Sequence, residues 1–135
     1  MTQLVRDAMV SEPMALDAGA TAQEAGEALM RPEVRAVLVT EGGRLTGVIT
    51  RKTLVREVVA PGRDPRTTPL REIAEEPILT LDSEMPLEEA FAVLEERDLE
   101  RVPVVEGGKL VGVLSRAVVR RRLYEDAPPP DPDAE

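Results

Sequence analysis

Glu41–Arg51 reads EGGRLTGVITR, and 65 residues later Glu106–Arg116 reads EGGKLVGVLSR with no gap. Seven of the eleven positions are identical, and Arg44/Lys109, Ile49/Leu114 and Thr50/Ser115 are close substitutions. Each copy opens on a Gly-Gly pair between apolar runs, which predicts a tight hairpin turn. A strand with a glycine in its middle follows, then a hydroxyl-Arg pair where the next helix should start. A repeated sequence implies a repeated structure, so the chain divides before it is read further.

Outward from the first copy, Arg35–Thr40 is rich in β-branched residues and pairs as a strand with Leu45–Thr50. Arg51–Val59 reads as a helix with Leu54, Val55 and Val58 inward. Upstream, Thr21 and Glu24 have capping-box spacing, and Ala22, Ala25, Leu29 and Met30 give an apolar face at steps of three and four. Val5–Met9 is a turn or two of helix, and Met14–Leu16 a brief extended piece. The same order returns in the second copy. Leu70–Ala74 is the short helix and Ile78–Leu81 the short strand. The amphipathic helix spans Pro86–Arg97, through Leu87, Ala90, Phe91 and Leu94, with Pro86 in its first turn. Arg101–Val105 and Lys109–Ser115 form the hairpin, and Arg116–Tyr124 the last helix. The expected organisation is a first repeat over residues 1–60, a Pro-rich linker over 61–69, a second repeat over 70–124 and a disordered acidic tail over 125–135. A half of about 55 residues buries too little surface to be comfortable alone. The expected fold is therefore mixed α/β (α+β), two pseudo-twofold-related β-α-β-β-α repeats packed sheet to sheet.

The composition narrows the functions available. The 135 residues carry a formal net charge of −9, which opposes nucleic-acid binding. The absence of cysteine and histidine excludes thiol catalysis, disulfides, the usual zinc sites and a His general base. No apolar run approaches the ~20 residues that span a bilayer. The N-terminus MTQLVRDAMV lacks the apolar core of a signal peptide. A soluble cytoplasmic protein is expected, with no membrane insertion. No asparagine, 12 prolines and more Arg than Lys suit either a thermophile or a GC-rich genome.

Paired β-α-β-β-α repeats that each end G-h-h-[ST]-R before a helix resemble a tandem pair of CBS (cystathionine β-synthase) domains, a Bateman module. The resemblance covers about residues 4–124. It rests on Gly47-Val48-Ile49-Thr50-Arg51, on Gly112-Val113-Leu114-Ser115-Arg116, on Arg101-Val102-Pro103-Val104-Val105 as the R-h-P-V-V strand, and on Met9-Val10-Ser11-Glu12-Pro13 as the opening M-x-x-x-P. It implies a regulatory module without chemistry of its own. Such a module binds AMP, ADP, ATP or S-adenosylmethionine in clefts between its repeats, forms a homodimer and modulates a separate protein partner. The ligand-binding positions it implies are Met14, Ala36, Thr50, Arg51 and Thr53 in the first copy, and Thr80, Arg101, Pro103, Ser115 and Arg116 in the second. The family motif continues [ST]-x-x-D, with the Asp on the ribose hydroxyls. Here that position is Thr53 in one copy and Val118 in the other. Thr53 still offers a hydroxyl and Val118 nothing, so the first site is the stronger. A ligand-free dimerisation or interaction scaffold is the rival expectation.

The residues themselves allow both readings. Thr50 and Ser115 at strand-to-helix junctions could bond a phosphate or only cap a helix. Arg51 and Arg116 could pair with phosphate oxygens or lie solvated. Arg101 lies on a strand flank that, by the resemblance, is aimed at the cleft, and is the best single phosphate-contact candidate. Gly42-Gly43 and Gly107-Gly108 lack the Lys-Ser/Thr of a phosphate loop and read as turns. Gly47 and Gly112 mark a close approach, of a ligand or, preferably, of the pseudo-symmetric neighbour. Arg120-Arg121-Arg122 compensates a helix C-terminus or meets an anionic partner. No metal site and no catalytic constellation is expected. A nucleotide could bring Mg²⁺ with it.

Overall fold

The computed structural model describes residues 2–11 and 13–125, of Glu125 the backbone only. The tail expected over residues 125–135 lies, beyond Glu125, outside the described residues. The elements run α1 (Val5–Ala8), β1 (Ala15–Asp17), α2 (Ala22–Leu29), β2 (Val37–Glu41), β3 (Arg44–Ile49) and α3 (Arg51–Leu54), which continues as a π-helix over Val55–Val59. A 3₁₀ turn at Leu70–Glu72 leads into β4 (Leu81–Asp82), α4 (Leu87–Arg97), β5 (Arg101–Glu106), β6 (Lys109–Ser115) and α5 (Arg116–Glu125). The mixed α/β expectation holds. Among the described residues no helix is long and apolar enough to cross a membrane.

The chain divides into two compact units. One holds Pro13–Ile78 with Gly107–Leu110, and the other the described residues of Met1–Glu12, Leu79–Glu106 and Val111–Glu135. In the first unit β1 runs parallel to β2, and β2 antiparallel to β3. The Gly42-Gly43 turn has φ of 61° and 82°, positive at both central residues as the tight hairpin turn requires. The hairpin tip of the second repeat joins this unit: Arg44 lies opposite Lys109, and the Leu45 N–H donates to the Gly108 carbonyl at 3.1 Å. In the second unit β4 runs parallel to β5, which pairs with β6. Followed through the Arg44–Lys109 pair, the hydrogen-bonded strand order is β1-β2-β3-β6-β5-β4.

Each unit has its own aliphatic core, and each core borrows its opening segment from the other repeat. Leu70 and Ile73 are buried with Ala25, Leu29, Val37, Val39 and Ile49 of the first repeat. Val5 and Ala8 are buried with Leu87, Leu94, Val104 and Leu114 of the second. The expected order of elements along the chain holds, but the short helix that precedes each repeat packs on the other one. The segment between repeats is also part of the structure. The carbonyls of Thr68 and Pro65 accept from the N–H groups of Ala22 and Gln23 at 2.9 and 3.0 Å, satisfying donors that the start of α2 leaves free.

Local expectations hold where caps and turns dictate them and slip where only apolar pattern is available. The Thr21–Glu24 capping box forms, with Thr21 N–H to Glu24 at 2.8 Å and Glu24 N–H to Thr21 at 3.2 Å. Pro86 is the N-cap of α4, one residue outside its expected place. Met30, expected on the apolar face, is 80% exposed because α2 ends at Leu29. Val55, expected inward, is 58% exposed on the wider π turn. The strand expected over Ile78–Leu81 keeps only Leu81 and adds Asp82, the two residues that find partners on β5.

Candidate functional site

The first repeat's junction between β3 and α3 is a closed chain of polar contacts. Thr50 leaves the strand in extended conformation, and its Oγ1 accepts from the Thr53 N–H at 3.2 Å. The Thr50 N–H returns a bond to Thr53 Oγ1 at 3.0 Å, and the two hydroxyls lie 2.9 Å apart. Thr53 is fully buried, and its hydroxyl donates to Glu75 Oε2 at 2.6 Å. That gives away its only proton, so Thr50 is the donor between the two hydroxyls. Arg56 donates to the other Glu75 oxygen at 2.6 Å. Glu75 is held in place by backbone: its N–H and C=O exchange bonds with Val48 at 3.0 and 2.8 Å. The Thr53 hydroxyl first, and then Arg56, hold the Glu75 carboxyl below its ordinary value of 4.5. A depressed carboxylate stabilises the fold above its unfolded pKa, and loses that contribution as pH falls through its lowered folded value.

The second junction repeats the backbone and drops the chemistry. Val10 and Val113 exchange N–H···O=C bonds at 2.9 and 3.0 Å, as Glu75 and Val48 do. At a constant offset of 65 residues, Val118 stands for Thr53 and Val10 for Glu75. Among the described residues the Ser115 hydroxyl is left with one long capping bond, from the Val118 N–H at 3.4 Å. A polar pair in one repeat has become an apolar pair in the other. This exchange predicts a double-mutant cycle. Thr53→Val alone removes a hydrogen bond to a charged acceptor and is expected to destabilise by about 1–2 kcal/mol. Thr53→Val with Glu75→Val is expected to be milder than the sum of the two single changes, since both partners leave together. Denaturant midpoints of the four proteins measure the coupling, and strict additivity would mean that the contact contributes nothing.

The other expected ligand positions divide between the units. Met14 is half-buried against the first core, and its carbonyl accepts from Leu38 N–H at 2.9 Å. Ala36 is half-buried just before β2. Arg51 donates from its guanidinium to the carbonyls of Leu29, the last residue of α2, and, at 3.0 Å, of Arg31 just beyond it. Arg116 does the same service for α4, reaching the Leu94 carbonyl at 3.4 Å. It also meets the carboxylates of Glu100, Asp98 and Glu95. Glu100 foremost, then Asp98, raises its pKa above the ordinary arginine value. Thr80 is exposed before β4, and Pro103 half-buried in β5. Arg101 is exposed at the start of β5 and its side chain makes no hydrogen bond or ion pair among the described residues, so its charge is available. Thus Thr50 and Thr53 are brought together, with Arg51 turned to the helix end. Two residues absent from the expectation, Glu75 and Arg56, complete the cluster. The repeat alignment carried the signal for Glu75, a charged residue opposite Val10.

Among the described residues, no group of three or more His, Cys, Asp or Glu is placed to hold a metal ion. The sequence model of the CBS domain matches residues 5–60 and 70–125. Hypoxic response protein 1 of Mycobacterium tuberculosis is 36% identical over 84 residues, 62% of this chain and 59% of that protein. The match thus spans about three fifths of that relative. CBS domain-containing protein YhcV of Bacillus subtilis is 29% identical over 111 residues, 82% of this chain and 79% of that one. A crystal structure of Hypoxic Response Protein I with two coordinated zinc ions superposes with a TM-score of 0.75 at 27% identity, covering 89% of this chain and 98% of that chain. A hexameric CBS-CP12 protein from bloom-forming cyanobacteria shares the fold, with a TM-score of 0.66 at 23% identity, over 95% of this chain and 77% of that one. CBS pairs are, as a kind, regulatory modules rather than catalytic ones. With two matched repeats and the backbone of each junction reproduced in the other, the chain belongs to the CBS domain family.

Proposed function

We propose that the chain is a regulatory CBS pair of the cytoplasm, without catalytic activity. It senses an adenosine-containing ligand of the AMP, ADP, ATP or S-adenosylmethionine type and, as a homodimer, modulates a separate protein. The observation that carries this reading is the Thr50–Thr53–Glu75 cluster. A carboxylate 2.6 Å from the Thr53 hydroxyl stands beside the position where the family motif has its Asp. Glu75 can therefore take the hydroxyl-accepting role from the neighbouring segment. Occupancy would favour one conformation of the module over another, by as much as the ligand's affinity differs between them.

A thermal-shift panel of AMP, ADP, ATP and S-adenosylmethionine tests it. A ligand that binds only the folded state adds ~2.7 kcal/mol at 100 times its Kd, a rise of several degrees in Tm. The expected result is a rise with one of the four that shrinks in Glu75→Gln and survives in Val118→Ala. Turnover of a nucleotide by the pure protein would overturn the non-catalytic part. The scaffold reading has its own support, since both Glu75 oxygens already have partners in Thr53 and Arg56. Silence across the panel at millimolar ligand selects it.

A further inference from the structure

The two oxygens of Glu75 are held in different ways. Oε2 accepts from Thr53, a buried hydroxyl fixed by its exchange of bonds with Thr50. Oε1 accepts at 2.6 Å from Arg56, an exposed side chain on the π turn. Oε1 is therefore the oxygen that can be freed. Arg56 also has a second place to rest, since its Nε donates to Glu57 at 3.1 Å. It can let go of Glu75 and remain paired. The Thr53 hydroxyl, and more weakly the Lys52 ammonium, still favour the Glu75 carboxylate when Arg56 leaves, so the acceptor stays charged. The second repeat keeps the arginine and loses the carboxylate. Arg121 stands at the position of Arg56 and Val10 at that of Glu75, and Arg121 makes no ion pair among the described residues.

We propose that Arg56 is an internal competitor of the ligand: it holds Glu75 Oε1 and must pass to Glu57 before a ribose hydroxyl can donate there. The latch rests on the sensing role proposed for Glu75 and adds the regulation of that site. A guanidinium on a carboxylate is a stronger donor than a neutral hydroxyl, so the ligand has a real contact to displace. Both side chains are exposed, and an ion pair in water contributes little. The latch therefore sets affinity without abolishing binding. Salt screens the pair. An uncharged nucleoside should then bind more tightly as salt is added, opposite to the trend that pairing with a phosphate gives.

Calorimetric titration with adenosine and AMP tests it, with 2′,3′-dideoxyadenosine as the control that lacks the hydroxyls. Arg56→Met keeps the apolar stem and is expected to bind adenosine and AMP about two- to fivefold more tightly than wild type. The dideoxy compound is expected to show no such gain. Wild-type affinity for adenosine is expected to rise between about 0.05 and 0.5 M NaCl, and that of Arg56→Met to stay flat. Equal or weaker binding of adenosine by Arg56→Met, or an equal gain for the dideoxy compound, would overturn the latch and leave the sensing role of Glu75 standing. Weaker binding of AMP by Arg56→Met would place Arg56 on the phosphate and overturn it too. Binding of neither ligand, or binding indifferent to Glu75→Gln, would remove the sensing role of Glu75 and the latch with it.

Discussion

Removal of residues 2–11 is expected to unfold the second repeat while the first stays folded. Burying a side chain such as Val5 contributes roughly 1.5–3 kcal/mol, and Val5 is fully buried in that core with Ala8 beside it. The same segment supplies backbone bonds from Val5 N–H to Met85, from Arg6 N–H to Ser83 and from Leu87 N–H to Gln3, at 2.8 to 2.9 Å. At ~1 kcal/mol each, these bring the loss to on the order of 5 kcal/mol, as much as the whole stability of a marginal domain. Hydrogen exchange reads the outcome by region. Amides of β5 and β6 should lose protection, and those of β2 should keep it. Leu70→Ala is the mirror experiment, since Leu70 is fully buried in the first core. It is expected to weaken β2 first, by about 2–5 kcal/mol. If each change weakens the repeat that adjoins it in sequence, the exchange of opening segments is wrong.

Gly47→Ala and Gly112→Ala are expected to lower Tm alike and to part company over ligand. A Cβ on Gly47 would fall 2.6 Å from the Ala74 Cβ and 3.2 Å from the Glu75 carbonyl oxygen. One on Gly112 would fall 2.7 Å from the Val10 carbonyl oxygen and from the Met9 sulfur. Chain must move in both cases, and overpacking of this kind costs about 1–3 kcal/mol, or roughly 4–12 °C in Tm for a protein of this size. The segment displaced by Gly47→Ala carries Glu75; the one displaced by Gly112→Ala carries Val10. Nucleotide binding should therefore fall with the first change and survive the second. Equal effects on binding would remove Glu75 from the site, and an unchanged Tm would contradict the close approach itself.

The repeat makes the elements legible because its signals are local. Gly-Gly turns, the Thr21 cap and β-branched runs act within a few residues, and they place β2, β3, β5, β6 and α2 within a residue or two. The exchange of opening segments is not legible for the opposite reason. The apolar residues Val5, Ala8, Leu70 and Ile73 announce that they are buried, not against what. Gly47 and Gly112 read as points of close approach by the pseudo-symmetric neighbour, and Ala74-Glu75 and Met9-Val10 are what approaches. At the site, Thr50 is legible as the residue at the strand-to-helix junction, and Thr53 only through the resemblance, as the residue at the motif's Asp position. Glu75 comes from another segment and shows itself only when the two copies are laid over each other, Thr-Glu against Val-Val. The π turn leaves no mark in the apolar pattern, which therefore puts Val55 on the wrong side.

The borrowed opening segments also bear on how the chain is made. Synthesis proceeds from the N-terminus at about 5–20 residues per second. The segment with Val5 and Ala8 emerges well before its partners, which lie between Leu81 and Val119. It must wait on the order of ten seconds with its apolar side chains uncovered. The first repeat has no such delay, because Leu70 and Ile73 follow directly on the strands they cover. On the ribosome the core of the first repeat can close while the segment that precedes it still waits for its place in the second.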